Sequence, residues 1–159
     1  MPELGTVDAK SVVVTGPGPG MAPSEAKGEP LTIVAAVLDP ACNPAQDASL
    51  HIWHTDAHGL YRPPGTEQCC YYQGDVRTDA RGRFRMDGVR PAQYPEPGAP
   101  PAHIHLEIRH ASGRLNAEIV FTDATATPGP IRSDTEVSVA LRRNADGTWY
   151  GETAFVLAA

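Results

Sequence analysis

Prolines and glycines interrupt this chain so often that long helices have little room in it: 16 Pro and 15 Gly are spread over 159 residues, and each acts as a turn former or a helix breaker. What lies between the breaks reads as short strands. Leu31 to Leu38 is a nearly continuous apolar run closed by Asp39-Pro40, which predicts a buried strand and a turn. Ala48 to His54 alternates instead, with Leu50, Ile52 and His54 on one face and Ser49, His51 and Trp53 on the other. Val76 to Thr78 and Arg83 to Met86 flank Asp79-Ala80-Arg81-Gly82 as a predicted hairpin. The stretch around His103, then Leu115 to Thr122, Thr135 to Arg142 and Thr148 to Leu157 complete the series. About eight strands at this spacing predict an all-β fold, an antiparallel β-sandwich with long loops that carry the site.

The length suits one domain with its own core. Residues 1–30 are expected to form an N-terminal arm, mobile or draped on the surface. They hold one β-branched run, Ser11 to Thr15, followed by Gly16-Pro17-Gly18-Pro19-Gly20, a composition that resists regular structure. Residues 31–159 are then the sandwich domain. Within it Pro63 to Gly74 reads as a polar loop, and Pro91 to Pro101, with five prolines, as an irregular one.

A formal net charge of -6 offers no basic field for a phosphate backbone, so the expected partner is a small molecule rather than nucleic acid. No apolar stretch approaches the roughly 20 residues that span a bilayer, and no basic segment followed by an apolar one opens the chain. These features predict no membrane partner and a cytoplasmic protein. Any homo-oligomer would form through the sandwich. Cys42, Cys69 and Cys70 lack the spacing of zinc or redox motifs, so free thiols are expected, with a bridge from Cys42 to Cys69 or Cys70 left open.

The chemistry concentrates in Pro101-Ala102-His103-Ile104-His105. On a strand His103 and His105 share one face, while Ile104, Leu106 and Ile108 line the opposite, apolar one. Alone, such a pair is more often a surface or hydrogen-bonding feature than a metal site. Tyr94, in the proline-rich loop, and Tyr61, just past a strand end, add two hard phenolate donors. Two tyrosinates with two imidazoles favour a hard, high-valent ion such as Fe(III) over zinc, and binding lowers the phenol pKa far below about 10. Trp53 is expected in the core, His54 as a buried hydrogen-bonding imidazole and Asp56 as a turn cap. Tyr71 and Tyr72 are expected in a loop near the mouth of the site, where they could line a substrate pocket.

The order of these segments carries more than any one of them. Gly28-Glu29-Pro30-Leu31, Val37-Leu38-Asp39, Ile52-Trp53-His54-Thr55-Asp56-Ala57-His58-Gly59-Leu60-Tyr61, Thr78-Asp79-Ala80-Arg81-Gly82-Arg83-Phe84, Tyr94-Pro95 and Pro101 to His105 together resemble the intradiol ring-cleavage dioxygenases, over Gly28 to about Phe121. The resemblance implies that Tyr61, Tyr94, His103 and His105 hold a non-haem Fe(III). It also implies that a catechol-like or polyphenolic ring is opened between its two hydroxylated carbons with O2, and that Tyr94, matching the family's labile ligand, serves as a base.

Two positions depart from that pattern. Family members commonly carry Arg where this chain has Pro100, and Gln at the position aligned with Glu118. Both exchanges make the surroundings of the site more negative, with Arg62, Arg77 and Arg90 as alternative sources of positive charge. An altered oxidation of an aromatic metabolite on the same iron, and a non-catalytic metal- or ligand-binding sandwich, stand beside ring cleavage as alternatives.

Overall fold

The computed structural model describes residues 6–16, 28–55, 72–92, 102–121 and 136–159. In chain order its strands are β1 (Val12–Val14), β2 (Pro30–Leu38), β3 (Ser49–His54), β4 (Tyr72–Arg77), β5 (Arg83–Val89), β6 (His103–His110), β7 (Gly113–Phe121), β8 (Glu136–Val139), β9 (Arg142–Arg143) and β10 (Trp149–Val156). They form two five-stranded sheets, ordered β1-β5-β2-β10-β9 and β4-β3-β6-β7-β8. No helix among the described residues is long and apolar enough to cross a membrane.

The all-β sandwich follows from period-two alternation. In the second sheet Leu50 and Ile52 of β3, Ile104, Leu106 and Ile108 of β6, and Ala117, Ile119 and Phe121 of β7 are buried together. From the first sheet Leu31, Ile33, Ala35 and Val37 of β2, Phe84 and Met86 of β5, and Phe155 of β10 meet them. Strand β2 lies between β5 and β10, and it is buried along almost its whole length. Its near-continuous apolar run is what a central strand covered on both faces requires.

Several expectations change in detail. The sandwich is not purely antiparallel: β1 pairs with β5, β10 with β2 and β8 with β7 in parallel. The predicted hairpin around Asp79 to Gly82 is a corner between sheets, because β4 pairs with β3 and β5 with β2. The Asp79 carboxylate accepts the backbone N–H groups of Arg81 and Arg83, each at 2.9 Å, and so stabilises the turn without pairing its flanks. Thr135 to Arg142, read as one strand, divides into β8 in one sheet and β9 in the other, with buried Leu141 at the crossing.

The N-terminal segment is part of the sandwich edge rather than an arm lying over it. Val12–Val14 is hydrogen-bonded to β5, and Ser11, Val13 and Thr15 are buried. Gly74, expected in a loop, is an interior position of β4. A Cβ there would overlap the Val13 side chain, so the glycine that weakened the strand pattern is what lets β1 pack against β4.

At the end of the sandwich where β3 finishes, the interior turns polar. His54, fully buried, donates from Nδ1 to the Thr55 carbonyl at 2.7 Å, and in the neutral ring its Nε2 accepts from the Thr15 hydroxyl at 2.8 Å. Tyr72 stacks on the same ring at 5.2 Å between centroids. Gly88 of β5 closes this knot, since a Cβ there would overlap Thr15 Oγ1 and press on His54 Nε2. Gly88→Ala is therefore expected to destabilise the fold by about 1–3 kcal/mol. Urea unfolding monitored by circular dichroism checks this, and a change below about 0.5 kcal/mol would contradict the packing described.

Candidate metal centre at the start of strand β6

Strand β6 begins at His103, and its inward residues fix what the others can do. Ile104, Leu106 and Ile108 are almost wholly excluded from solvent, so a one-residue slip would drive both imidazoles into the core and three apolar side chains out of it. In the observed register His103 and His105 share the outer face. Their Nε2 atoms lie 3.0 Å apart, with the ring planes at 80°. Two imidazole nitrogens at right angles about one ion, each at about 2.1 Å, would stand about 3.0 Å from each other. The pair fits a shared ion without rearrangement.

Neighbouring strands hold His105 from two further sides. Trp53 is its register partner on β3, and the two rings are stacked at 4.9 Å with only 9° between their planes. His51 continues the stack at 5.2 Å. Glu118 is the register partner on β7, and its Oε1 lies 3.4 Å from His105 Nδ1. One ligand atom from each of His103, His105 and Glu118 falls within 4.8 Å of the others. A cavity of about 280 Å³ opens beside them, lined by residues of β3, β6 and β7 that include Trp53, His105, Glu107, Asn116 and Glu118.

Trp53 is thus not a core residue; it flanks the histidine pair. The alternation of β3 already signalled this, because Trp53 shares a face with Ser49 and His51 rather than with Leu50 and Ile52. Tyr72 moves the other way. Expected in a loop at the mouth, it lies on β4 at 1% exposure, facing inward onto His54, and cannot line an open pocket. Tyr61, Tyr71, Tyr94 and Pro100 lie outside the described residues, as do Cys69 and Cys70, while Cys42 is an exposed free thiol.

The strand ends that lead into the tyrosine segments are described. Thr55, the last residue before 56–71, donates from Oγ1 to the carbonyl of Ala92 at 2.8 Å. Ala92 is the last residue before 93–101, and His54 pairs with Ile104. Both segments therefore depart from the end of the sandwich at which His103 stands.

Of the candidate cations, Arg77 pairs with Asp47 at 3.1 Å beside Ser49, at the far end of β3. Arg90 lies over the Trp149 ring at 4.3 Å and the Phe121 ring at 6.0 Å. Phe121 faces the core, so this guanidinium packs at the end of the sandwich. Trp149 in turn hydrogen-bonds Glu29. Arg62 lies outside the described residues. A larger hollow of about 740 Å³ lies by Lys10, Asp47, Asp75 and Arg77, away from the imidazole pair.

Comparison with known proteins agrees with this architecture. A family profile described as "Dioxygenase" matches residues 19–147. Hydroxyquinol 1,2-dioxygenase of Rhodococcus opacus is 32% identical over 96 residues, covering 60% of this chain and 32% of that protein. Catechol 1,2-dioxygenase of Acinetobacter baylyi is 28% identical over 94 residues, covering 57% of this chain and 29% of that one. This chain thus spans about a third of the length of these curated relatives. Among solved structures, the dioxygenase domain of a dioxygenase carbohydrate-binding protein fusion from Streptomyces sp. SirexAA-E superposes with a TM-score of 0.65 at 25% identity, covering 100% of this chain and 96% of that one. The profile match, the ordered motifs and the fold together show that this chain belongs to the intradiol dioxygenase family.

Proposed function

We propose that the chain is a non-haem Fe(III) dioxygenase that opens a catechol-like or polyphenolic ring between its two hydroxylated carbons, using O2. The observation that carries this reading is the imidazole pair, two Nε2 atoms 3.0 Å apart on the outer face of β6, inside the span matched by the family. Tyr61 and Tyr94 complete the proposed ligand set by correspondence of motif, and the common departure point of their segments beside His103 supports it. The relatives are named for hydroxyquinol, catechol and protocatechuate, and the proposed substrate class follows those names.

When bound, ferric iron supplies a Lewis-acidic centre that orients two adjacent substrate oxygens and draws electron density from the ring. The chain's own residues set the conditions. The apolar row Ile104, Leu106 and Ile108 keeps water from the underside of the site, and Trp53 fixes the plane of His105. Tyr94 is the proposed base, its phenolate oxygen accepting a substrate hydroxyl proton. Tyr71 stays a proposed wall of the substrate pocket, with Pro100 where the family's arginine would stand.

One observation favours the second reading, a different oxidation of an aromatic metabolite on the same iron. Among the described residues the cavity beside His105 is lined by Glu107 and Glu118 and by no arginine or lysine. Surroundings of that sign oppose the binding of a dianionic ligand.

Iron-loaded protein is expected to be burgundy through tyrosinate-to-iron charge transfer. Anaerobic catechol should shift the band, and admitting air should yield a muconate-type product with both atoms of labelled O2. Tyr61→Phe should weaken and shift the band, since the Tyr94 phenolate remains, and the protein carrying both Tyr61→Phe and His103→Ala should lose stoichiometric iron; a colourless iron-loaded wild type would refute the proposal. Oxygen consumed with the label outside a ring-opened product would decide for the second reading.

The stack on His105 gives a second test. In a Trp149→Phe background, emission comes from Trp53 alone, and stoichiometric ferric iron should quench most of it. The Trp53→Phe protein, emitting from Trp149, should respond much less. Equal quenching of the two would place the ion elsewhere.

A further inference from the structure

We propose that Glu118 is a positioning residue for the metal centre, acting through His105: its carboxylate takes the Nδ1–H of the imidazole and so leaves the Nε2 lone pair directed at the ion. The inference rests on the proposed iron only for its consequence on affinity. The orientation it describes belongs to the metal-free protein as well.

A histidine ligand must present an unprotonated ring nitrogen to its metal. A neutral imidazole carries one proton on one of two nitrogens, and a nitrogen that carries it cannot bind a metal. His105 Nε2 faces His103 Nε2 at 3.0 Å, the position in which the two would share an ion. Its other nitrogen faces Glu118 Oε1 at 3.4 Å. An ionised carboxylate only accepts hydrogen bonds, so it favours the tautomer protonated at Nδ1. The proton is thereby held on the edge of the ring away from the metal position.

Backbone register delivers this contact without help from a loop. His105 and Glu118 are directly opposed on adjacent antiparallel strands, and their side chains share one face. Both are screened from bulk water, with side-chain exposures of 21% and 22%, which strengthens the attraction over that of an open surface pair. Trp53 supplies the second restraint. Stacked within 9° of coplanar on the ring, it fixes the plane, while Glu118 fixes which edge faces which way. A ring flip would leave the carboxylate facing a carbon edge and turn Nε2 away from His103. A carboxylate bonded to the outer nitrogen also raises the basicity of a metal-bound imidazole, and removing such partners typically costs about 10–100-fold in metal affinity.

The test has two arms. In metal-free protein carrying 15N-labelled histidine at about pH 8, long-range 1H–15N correlation should show His105 in the Nδ1–H form, assigned against His105→Gln. Glu118→Ala should move it toward the Nε2–H form. Glu118→Gln, whose amide oxygen can still accept the bond, should largely restore the Nδ1–H form. Competition with a chelator should show ferric affinity falling about 10–100-fold in Glu118→Ala with one iron per chain retained, and recovering in part in Glu118→Gln. An unchanged tautomer in Glu118→Ala would overturn the inference. So would loss of stoichiometric iron in both variants, which would make the carboxylate a direct ligand. A wild type that takes up no ferric iron would refute the proposed function, and the tautomer arm would still decide the role of Glu118.

Discussion

Everything at the candidate centre depends on the seating of β6. Ile104, Leu106 and Ile108 are locked between neighbours on β3 and β7 and against the facing sheet, and a strand so anchored has one register. Because side chains alternate, that apolar anchoring is the same constraint that aims His103 and His105 outward. The functional face is thus stabilised by residues that never touch it. Truncating one of those isoleucines would act on the centre through β6, since a cavity under the strand relaxes the backbone that carries both imidazoles.

Behind the pair, buried polarity ties together elements that apolar packing alone would leave free to slide. His54 reaches from β3 to Thr15 beside the N-terminal strand, and Thr55 reaches to Ala92 beyond β5. An unsatisfied buried imidazole or hydroxyl would cost about 1–3 kcal/mol, so these contacts select one relative placement of the sheets' ends rather than merely adding cohesion. That end is where the chain leaves for the segments holding Tyr61 and Tyr94. A ligand set drawn from a strand and two long segments needs its departure points held, and the knot of Thr15, His54, Tyr72 and Gly88 does so from inside.

Sequence reading recovered what is local and periodic. The outward histidine pair, the buried β2 and the core positions of β3 all follow from alternation, and the family was legible from motif order. What it could not recover were pairings set by distant contacts. Asp79 to Gly82 has good hairpin chemistry, yet the same turn serves equally to carry a chain from one sheet to the other, and only the partners of β4 and β5 distinguish the two. Gly74 looked like a loop residue because the Val13 side chain that occupies its missing Cβ lies 61 positions away, and the same blindness made β1 look like an arm. Trp53 was misplaced for a different reason: its size suggested the core, although its phase along β3 put it outside. Phase is the better guide in a strand, since size says how much area a side chain can cover and alternation says on which side.

Charge distinguishes this centre from its family pattern. On the motif correspondence proposed above, Glu118 takes the place of a family glutamine and Pro100 that of an arginine, while Arg90 lies over the Trp149 ring. Under the proposed ligation two phenolates would already surround the ion, and a carboxylate on the outer nitrogen of His105 adds further electron donation. Negative surroundings favour the higher oxidation state, so the exchange strengthens the hold on Fe(III) while weakening the attraction for an anionic substrate. The two effects pull in opposite directions on one reaction: a centre that is better at staying ferric is poorer at recruiting a catecholate dianion. A substrate that approaches neutral and loses its protons only on binding would escape much of that repulsion, and Tyr94, the proposed base, would take one of those protons. Under the proposed mechanism more of the task would fall on proton acceptance by Tyr94 than on a fixed cation, and the acidity of the aromatic hydroxyls would be the property by which such a site discriminates among substrates.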